Sequence, residues 1–538
     1  MSPQTALVIT GATVHTLDPA HPAATAVAVS GGLITAVGTD AEIRALAGPG
    51  TEELDGRGLT VTPGLVDSHQ HPLMGIAQSR GLDLMDAHDL DTVLARLRAE
   101  ADRLGPDDWV VAHGVQYNAF GARPLHRSLI DEAVGGRPAF LWMVDGHTAL
   151  LSSGGLRRAG ISGEREFADS SRIVVEDDGT PTGELHELQA VLLGQAAVPA
   201  PTTEEFAARL KELFAAQNRT GITGVHILDF MPGTDDVLRL LDSRDELTVR
   251  TLLAPWCLPG STDATVELIA RLREHSGRLW RTGAVKLFVD GAVDGGGAWL
   301  CHADHLGQND RSLWRDPEAY RAAVATFTAL GLPCFTHAIG DEGVAYALQA
   351  YADAGKPAGG GRHRIEHIEV LHDEHVARFA ELDVVASMNP THMDWTLPDG
   401  NDNWSRRVGL EHAGQAWRYA DILAAGGQVA LASDWPIAPY DPREVMAGAV
   451  LRRPVGQTGR APHLPGQALT PLQALRGYTA GAAYGAGEEA VAGRIAPGLR
   501  ADLTVFAGDP LNCPADELPR LPVAATVVDG RVVHRAGV

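Results

Sequence analysis

Two histidines one residue apart close an apolar run. The segment Thr60-Val-Thr-Pro-Gly-Leu-Val-Asp-Ser-His-Gln-His71 ends in His69-Gln70-His71. In an extended chain alternate side chains point to the same side, so both imidazoles can face one ion. Neutral imidazole suits zinc, iron and similar metals. Lys286 lies within Ala284-Val-Lys-Leu-Phe-Val289, an otherwise apolar run, in a chain with only three lysines among its 44 basic residues. A buried amine loses hydration unless it is paired or chemically changed, and burial lowers its pKa. A neutral amine can add CO₂ to give a carbamate, an anionic ligand able to bridge two metals. The plainer alternative is a lysine reaching out from a strand end. His337 closes Leu332-Pro-Cys-Phe-Thr-His337, and His367 lies in His363-Arg-Ile-Glu-His-Ile368. Asp434 follows the run 428–432, where a carboxylate can ligate metal and take a proton from bound water. Each of these residues alone has an ordinary explanation as a core histidine, a cap or a turn.

The elements that must position them are parallel strands. Eight apolar runs (residues 59–66, 222–227, 248–253, 284–289, 333–337, 364–368, 384–388 and 428–432) alternate with amphipathic helical segments. Thr202-Thr-Glu-Glu205 is a capping box, and Asp316-Pro317 is an N-cap followed by proline at the first helical position, with Gly331 closing that helix. Eight strand–helix units in series predict an α/β fold, a (β/α)₈ barrel over residues 59–487. In such a barrel the C-terminal strand ends converge on one mouth, so the H-x-H pair, the lysine, the two histidines and the aspartate become one set. The first connection is too long for a simple unit. Residues from about 80 to 215 hold a helix (90–104) and two strand-like runs (109–112 and 139–144), read as an insertion over the mouth. Residues 1–58 and 488–538 are both rich in short strands, which predicts a composite β-sandwich domain built from the two ends. Asp529-Gly530 marks a hairpin within it.

Composition narrows the function. The chain has 538 residues, and its net charge of −24 repels phosphate backbones and anionic lipid, so nucleic-acid and membrane-surface partners are not expected. No transmembrane run or signal peptide is evident. Cys257, Cys301, Cys334 and Cys513 are isolated in sequence, as in a reduced, cytoplasmic protein.

The ordered set resembles the amidohydrolase superfamily, and within it the YtcJ-like branch that includes N-substituted formamide deformylases. The resemblance runs from Leu7-Val-Ile-Thr-Gly-Ala-Thr13 through the H-x-H segment, Val285-Lys-Leu-Phe-Val-Asp-Gly291, Thr336-His-Ala-Ile-Gly-Asp341, Ile365-Glu-His-Ile368 and Ser433-Asp-Trp-Pro436. It ends at Gly493-Arg-Ile-Ala-Pro-Gly-Leu-Arg-Ala-Asp-Leu503. It implies a metal-dependent hydrolase of carbon–nitrogen bonds, with one or two divalent ions, zinc above all. His69 and His71 would hold the more buried ion, carboxylated Lys286 would bridge, and His337 and His367 would hold the second. Asp434 would be both ligand and general base for the attack of a metal-activated hydroxide on a small N-acyl or N-formyl amide. Asp67 would orient a ligating histidine, and Asp341 would cap a helix. His147, Trp435 and Asp290 are the expected substrate contacts, with Trp299 and Trp395 as further candidates for the pocket wall. The resemblance also implies a homodimer. Asp145-Gly-His147 fits the branch, but Ser152-Ser153 stands where it commonly shows Asn-Ser, and Gly295-Gly-Gly297 is unusually glycine-rich; both differences are expected near the pocket. Lactone, carbamate or cyclic-amide hydrolysis and deamination are alternatives on the same barrel, as is a catalytically silent binding scaffold.

Overall fold

The computed structural model describes residues 5–121, 123–229 and 233–536. Both ends of the chain meet in one eight-stranded sheet. Across it run Arg531–Arg535, Val523–Val528, Leu503–Phe506, Thr60–Pro63, Leu7–Val14, Ala24–Ser30 and Leu33–Gly38, with Glu52–Asp55 also pairing on Leu7–Val14. Ile9, Val27, Val29, Val61, Leu503, Val505 and Val527 bury its apolar face. At the hairpin, Asp529 and Gly530 both take positive φ (54° and 75°), the turn that matches the twist of the flanking strands. The strands form this single sheet where a sandwich was expected.

The run 59–66 divides at a corner. Thr60–Pro63 pairs with Leu7–Val14 and Leu503–Phe506, whereas Leu65–Gln70 pairs with Ile222–Ile227. Gly64 makes the corner: a Cβ there would lie 2.2 Å from Oγ1 of Thr223, and its amide donates to the carbonyl of Asp502. One sequence segment therefore ties the terminal sheet directly to the strand that carries His69.

The middle of the chain forms two all-parallel arcs. One is ordered Leu65–Gln70, Ile222–Ile227, Arg250–Leu253, Trp280–Thr282; the other runs Val285–Phe288, Cys334–Ala338, Arg364–His367, Val385–Met388, Gln428–Leu431. All eight expected runs contribute strands, but they do not form one closed hydrogen-bonded barrel. The arcs meet at an isolated bridge between Trp256 and Lys286, and at the other side through the Asp434 amide, which donates to the His69 carbonyl at 2.9 Å. These strands are buried on both faces, which is why they read as continuous apolar runs. The helices between them have the expected boundaries: Thr202 and Glu205 form the capping box of Thr203–Arg219, and Asp316 caps Pro317–Ala329.

The insertion is a six-stranded sheet ordered Arg172–Val175, Pro181–His186, Thr148–Leu151, Ala139–Met143, Val110–Val115, Leu82–Asp83. Leu90–Arg103, Ser153–Ala159 and Leu188–Gln195 are its helices. Thr203–Arg219 packs instead on Pro72–Gln78, Thr234–Ser243 and Ile222–Ile227, so the insertion ends before it. No helix among the described residues is long and apolar enough to cross a membrane.

Candidate metal centre

The strand ends bring their polar residues together. His69 lies in Leu65–Gln70 and His71 just past it, and their Nε2 atoms are 3.1 Å apart. Oδ1 of Asp434 lies 3.3 Å from Nε2 of His69 and 3.0 Å from Nε2 of His71. His367 and Ile368 end their strand in the left-handed region (φ 73° and 51°), as does Asp434 (φ 62°). Two consecutive non-glycine residues in that region, one β-branched, cost of order 1–3 kcal/mol each and turn the imidazole off the strand's path. Nδ1 of His367 then sits 3.9 Å from Oδ2 of Asp434, and donor atoms of His69, His367 and Asp434 all lie within 4.8 Å of one another. The His337 ring is 4.4 Å from that of His367, and Nζ of Lys286 is 3.5 Å from Nε2 of His69.

This donor set fits a metal ion. Both ring nitrogens of His367, Nε2 of His337 and Nδ1 of His71 are buried without a hydrogen-bond partner. A buried polar group left so costs about 1–3 kcal/mol, and ligation would offset it. Burial holds the imidazoles of His69, His337 and His367 far below their usual pKa, helped by Lys286 and the neighbouring rings, so they present lone pairs. Burial also lowers the Lys286 amine to about 8, against the pull of Glu366 and Asp434. Glu366 orients the set: its Oε2 is 2.9 Å from Nδ1 of His69, and its other oxygen accepts from Arg364. Arg364 in turn donates to the Ser68 carbonyl at 2.7 Å.

Residues 52–534 match the profile of the amidohydrolase family. The chain belongs to this family. It is a metal-dependent hydrolase acting on carbon–nitrogen bonds. The N-substituted formamide deformylase of Arthrobacter pascens is 30% identical over 97% of both chains. The YtcJ protein of Bacillus subtilis is 28% identical over 95% of this chain and 96% of its own. Among solved structures, an uncharacterized metal-dependent hydrolase from Pyrococcus horikoshii superposes with a TM-score of 0.74 at 22% identity, covering 95% of this chain and 99% of the other.

The candidate centre opens into a cavity floored by His71, His337, His367 and Asp434 and walled by Trp256, Phe288, Trp395, Trp404 and Ile437. His147 lines it, with its ring 5.0 Å from that of His337 and Nδ1 held by Glu187 at 2.7 Å. Burial opposes charging of His147, but Glu187, Asp145 and Asp290 outweigh it and raise its pKa.

Several expected contacts fall elsewhere. Asp290 is wholly buried behind the cavity, where its carboxylate accepts the amides of Trp299, Ile339 and Gly340. Those bonds draw the loop after Lys286 against the loop after His337. Trp435 packs on Gly75 and Tyr440 rather than lining the cavity. Trp299 packs on Tyr346, leaving Trp395 as the expected tryptophan that does line it. Asp67 accepts the backbone amides of His69 and Ser433 and so fixes the chain, while the His69 ring is held by Glu366. Asp341 is the first residue of Asp341–Ala354 rather than its cap. Ser152 caps Ser153–Ala159 and Ser153 bonds Asp131, inside the insertion and away from the cavity.

Sequence reasoning missed His392, whose Nε2 lies 3.5 Å from Oδ2 of Asp434. Its signal was available: it follows the apolar run Val385–Met388 as Asp434 follows Gln428–Leu431. Glu187, Glu366 and Glu369 were also missed. Glu369 holds Nε1 of Trp404 at 2.6 Å and lies 3.4 Å from Nδ1 of His392.

Proposed function

We propose that this amidohydrolase holds two divalent ions, zinc by preference, and hydrolyses a small N-acyl or N-formyl amide bearing an apolar substituent. The observation that carries the reading is the convergence of buried, unpartnered imidazoles beside Asp434 on the floor of an aromatic-walled cavity. Zinc matches an imidazole and carboxylate donor set. His69, His71 and Asp434 would hold one ion, His337 and His367 the other, and Lys286 would join them. The amine, lowered to about 8, is neutral often enough to add CO₂, forming an N–C bond and releasing a proton to solvent. Bound divalent ions make water acidic near neutrality and polarise an amide carbonyl.

The chain's own groups do the rest. Asp434 takes a proton from the attacking water and returns it to the leaving nitrogen. His147, whose pKa Glu187 helps to raise, would donate to the carbonyl oxygen as charge develops on it. Trp256, Trp395 and Trp404 exclude water and take the apolar substituent. The deformylase name of the Arthrobacter relative makes formyl the first acyl group to try. The two parallel arcs, meeting at Trp256–Lys286 and at Asp434–His69, support reading the middle of the chain as a (β/α)₈ barrel to about residue 487. The terminal sheet supports a composite second domain, with the boundary at Gly64.

Amine release from N-formyl, N-acetyl and longer N-acyl compounds tests the reading, with zinc-loaded protein and D434N as background. Removing a general base costs about 10²–10⁴-fold, so D434N should be nearly silent while keeping wild-type circular dichroism. Equal release from both proteins would remove Asp434 from the mechanism. No release from either would redirect the site toward lactone, carbamate or deamination chemistry.

A further inference from the structure

A second group of metal-ligand donors lies outside the cavity. Cys301, Asp341, His372 and His412 place one donor atom each within 4.8 Å of all the others. Sγ of Cys301 is 3.3 Å from Nε2 of His412 and 3.8 Å from Nε2 of His372. Oδ2 of Asp341 is 2.6 Å from Nε2 of His372 and 3.9 Å from Nε2 of His412. Zinc–sulfur and zinc–nitrogen bonds of about 2.3 and 2.0–2.1 Å put neighbouring tetrahedral donors roughly 3.3–3.6 Å apart. The four separations, 2.6–3.9 Å, bracket those of zinc donors, with the Asp341–His372 pair drawn in by its hydrogen bond.

We propose that Cys301, Asp341, His372 and His412 form a structural zinc site, separate from the catalytic centre. The donors are prepared for it. Nδ1 of His412 donates to the Val408 carbonyl at 3.1 Å, which fixes the tautomer and leaves the Nε2 lone pair facing the thiol. Oδ1 of Asp341 accepts the Cys301 amide at 3.1 Å, which aims Oδ2 at the histidines. A free cysteine thiol is mostly protonated at neutral pH, so Cys301 enters the site carrying its proton. A bound zinc would replace that proton, which leaves to solvent, and would separate His372 from Asp341. Cys301 is exposed, which gives an ion a way in. Four protein donors complete a tetrahedron, the arrangement of structural rather than catalytic zinc.

The position explains what such an ion would do. Cys301, Asp341 and His372 come from the segments that follow the strands of Lys286, His337 and His367. His412 lies in Asn403–Ala413, whose first residues, Asn403 and Trp404, line the cavity, as do Val293 and Asp294 ahead of Cys301. One ion would clamp these segments into a fixed rim.

Cobalt(II) tests the site, because thiolate bound to cobalt gives a near-ultraviolet charge-transfer band that imidazole and carboxylate ligands do not. None of the proposed catalytic ligands is a thiol, and Cys257, Cys334 and Cys513 belong to no metal-ligand cluster among the described residues. Whole protein titrated with cobalt should show the band, D434N should keep it and C301S should lose it. Zinc content should fall by one equivalent per chain in C301S. H412Q, which keeps the thiol, should bind cobalt about 10-fold or more weakly. A wild-type protein without the band, a band that survives in C301S, or an unchanged affinity in H412Q would overturn the site.

Discussion

Glu366 carries more of the centre than its place beside His367 in the sequence suggests. Its two oxygens serve Nδ1 of His69 and the Arg364 guanidinium, and all three side chains are wholly buried. E366Q keeps the volume but leaves Arg364 facing a neutral amide; breaking a buried pair in this way costs about 3–5 kcal/mol. It also frees the His69 ring, and losing such a support typically lowers metal affinity about 10–100-fold. Zinc titration against a competing chelator, beside a denaturant titration, reads the two effects separately. Unchanged affinity with lowered stability would reduce Glu366 to a counter-ion for Arg364. The same residues mark the limit of what the sequence discloses. His69, Lys286, His337, His367 and Asp434 stand out because a polar residue inside or at the end of an apolar run is a local signal. Glu187 and Glu366 find their partners across 40 and 297 residues of chain, and no local pattern marks them. Asp290 matched a motif, yet its three amide donors are a product of packing that the motif does not express.

At the scale of elements, the helix Pro72–Gln78 begins one residue after His71 and lays Gly75 against Trp435, the neighbour of Asp434. A Cβ on Gly75 would lie 2.3 Å from two carbons of the indole, far inside contact distance. The ring is rigid and the helix start is held by the His71 amide, which donates to the Trp435 carbonyl at 2.7 Å, so neither side yields without moving His71 or Asp434. G75A should therefore cost about 1–3 kcal/mol and lower turnover beyond the loss of folded protein. G75A/W435L, in which the clash is relieved, should regain stability, and a wild-type denaturation midpoint in G75A alone would show that helix and loop part freely. The eight parallel strands were legible because burial on both faces makes most of their residues apolar. Of the insertion sheet only Val110–Val115 and Ala139–Met143 were legible, as the runs 109–112 and 139–144. Thr148–Leu151 and Arg172–Val175 are four residues each, too short for a pattern, and they exist because neighbours from distant sequence pair with them. The division of 59–66 was likewise hidden: Pro63-Gly64 reads as punctuation, but only the approach of Thr223 requires the corner there.

Across the whole molecule, buried ionisable groups tie stability to pH in opposite directions. Burial raises Asp290, Asp294 and Asp394 to about 7, so the folded state binds their protons first and they favour folding as pH falls from 7 toward 4. His363 acts the other way. Its Nδ1 accepts the Cys334 amide at 3.1 Å, its Nε2 lies 3.1 Å from the Gly355 carbonyl, and its ring stacks on Tyr351 at 4.2 Å. Burial lowers its pKa to about 4 from the ordinary 6.5. The unfolded chain therefore binds this proton first between those values. The contribution of His363 is complete above pH 6.5 and is lost as pH falls toward 4, by up to about 1.4 kcal/mol per pH unit. H363Q can keep both hydrogen bonds and cannot titrate. The wild type's advantage over H363Q should be constant above pH 7 and shrink by a few kcal/mol by pH 4, read as the difference between denaturation midpoints at each pH. Taking the difference removes the aspartates, which titrate alike in both proteins. Parallel curves for the two proteins across this window would mean that His363 titrates alike in the folded and unfolded states, and that the acid sensitivity comes from other buried histidines such as His226 and His463.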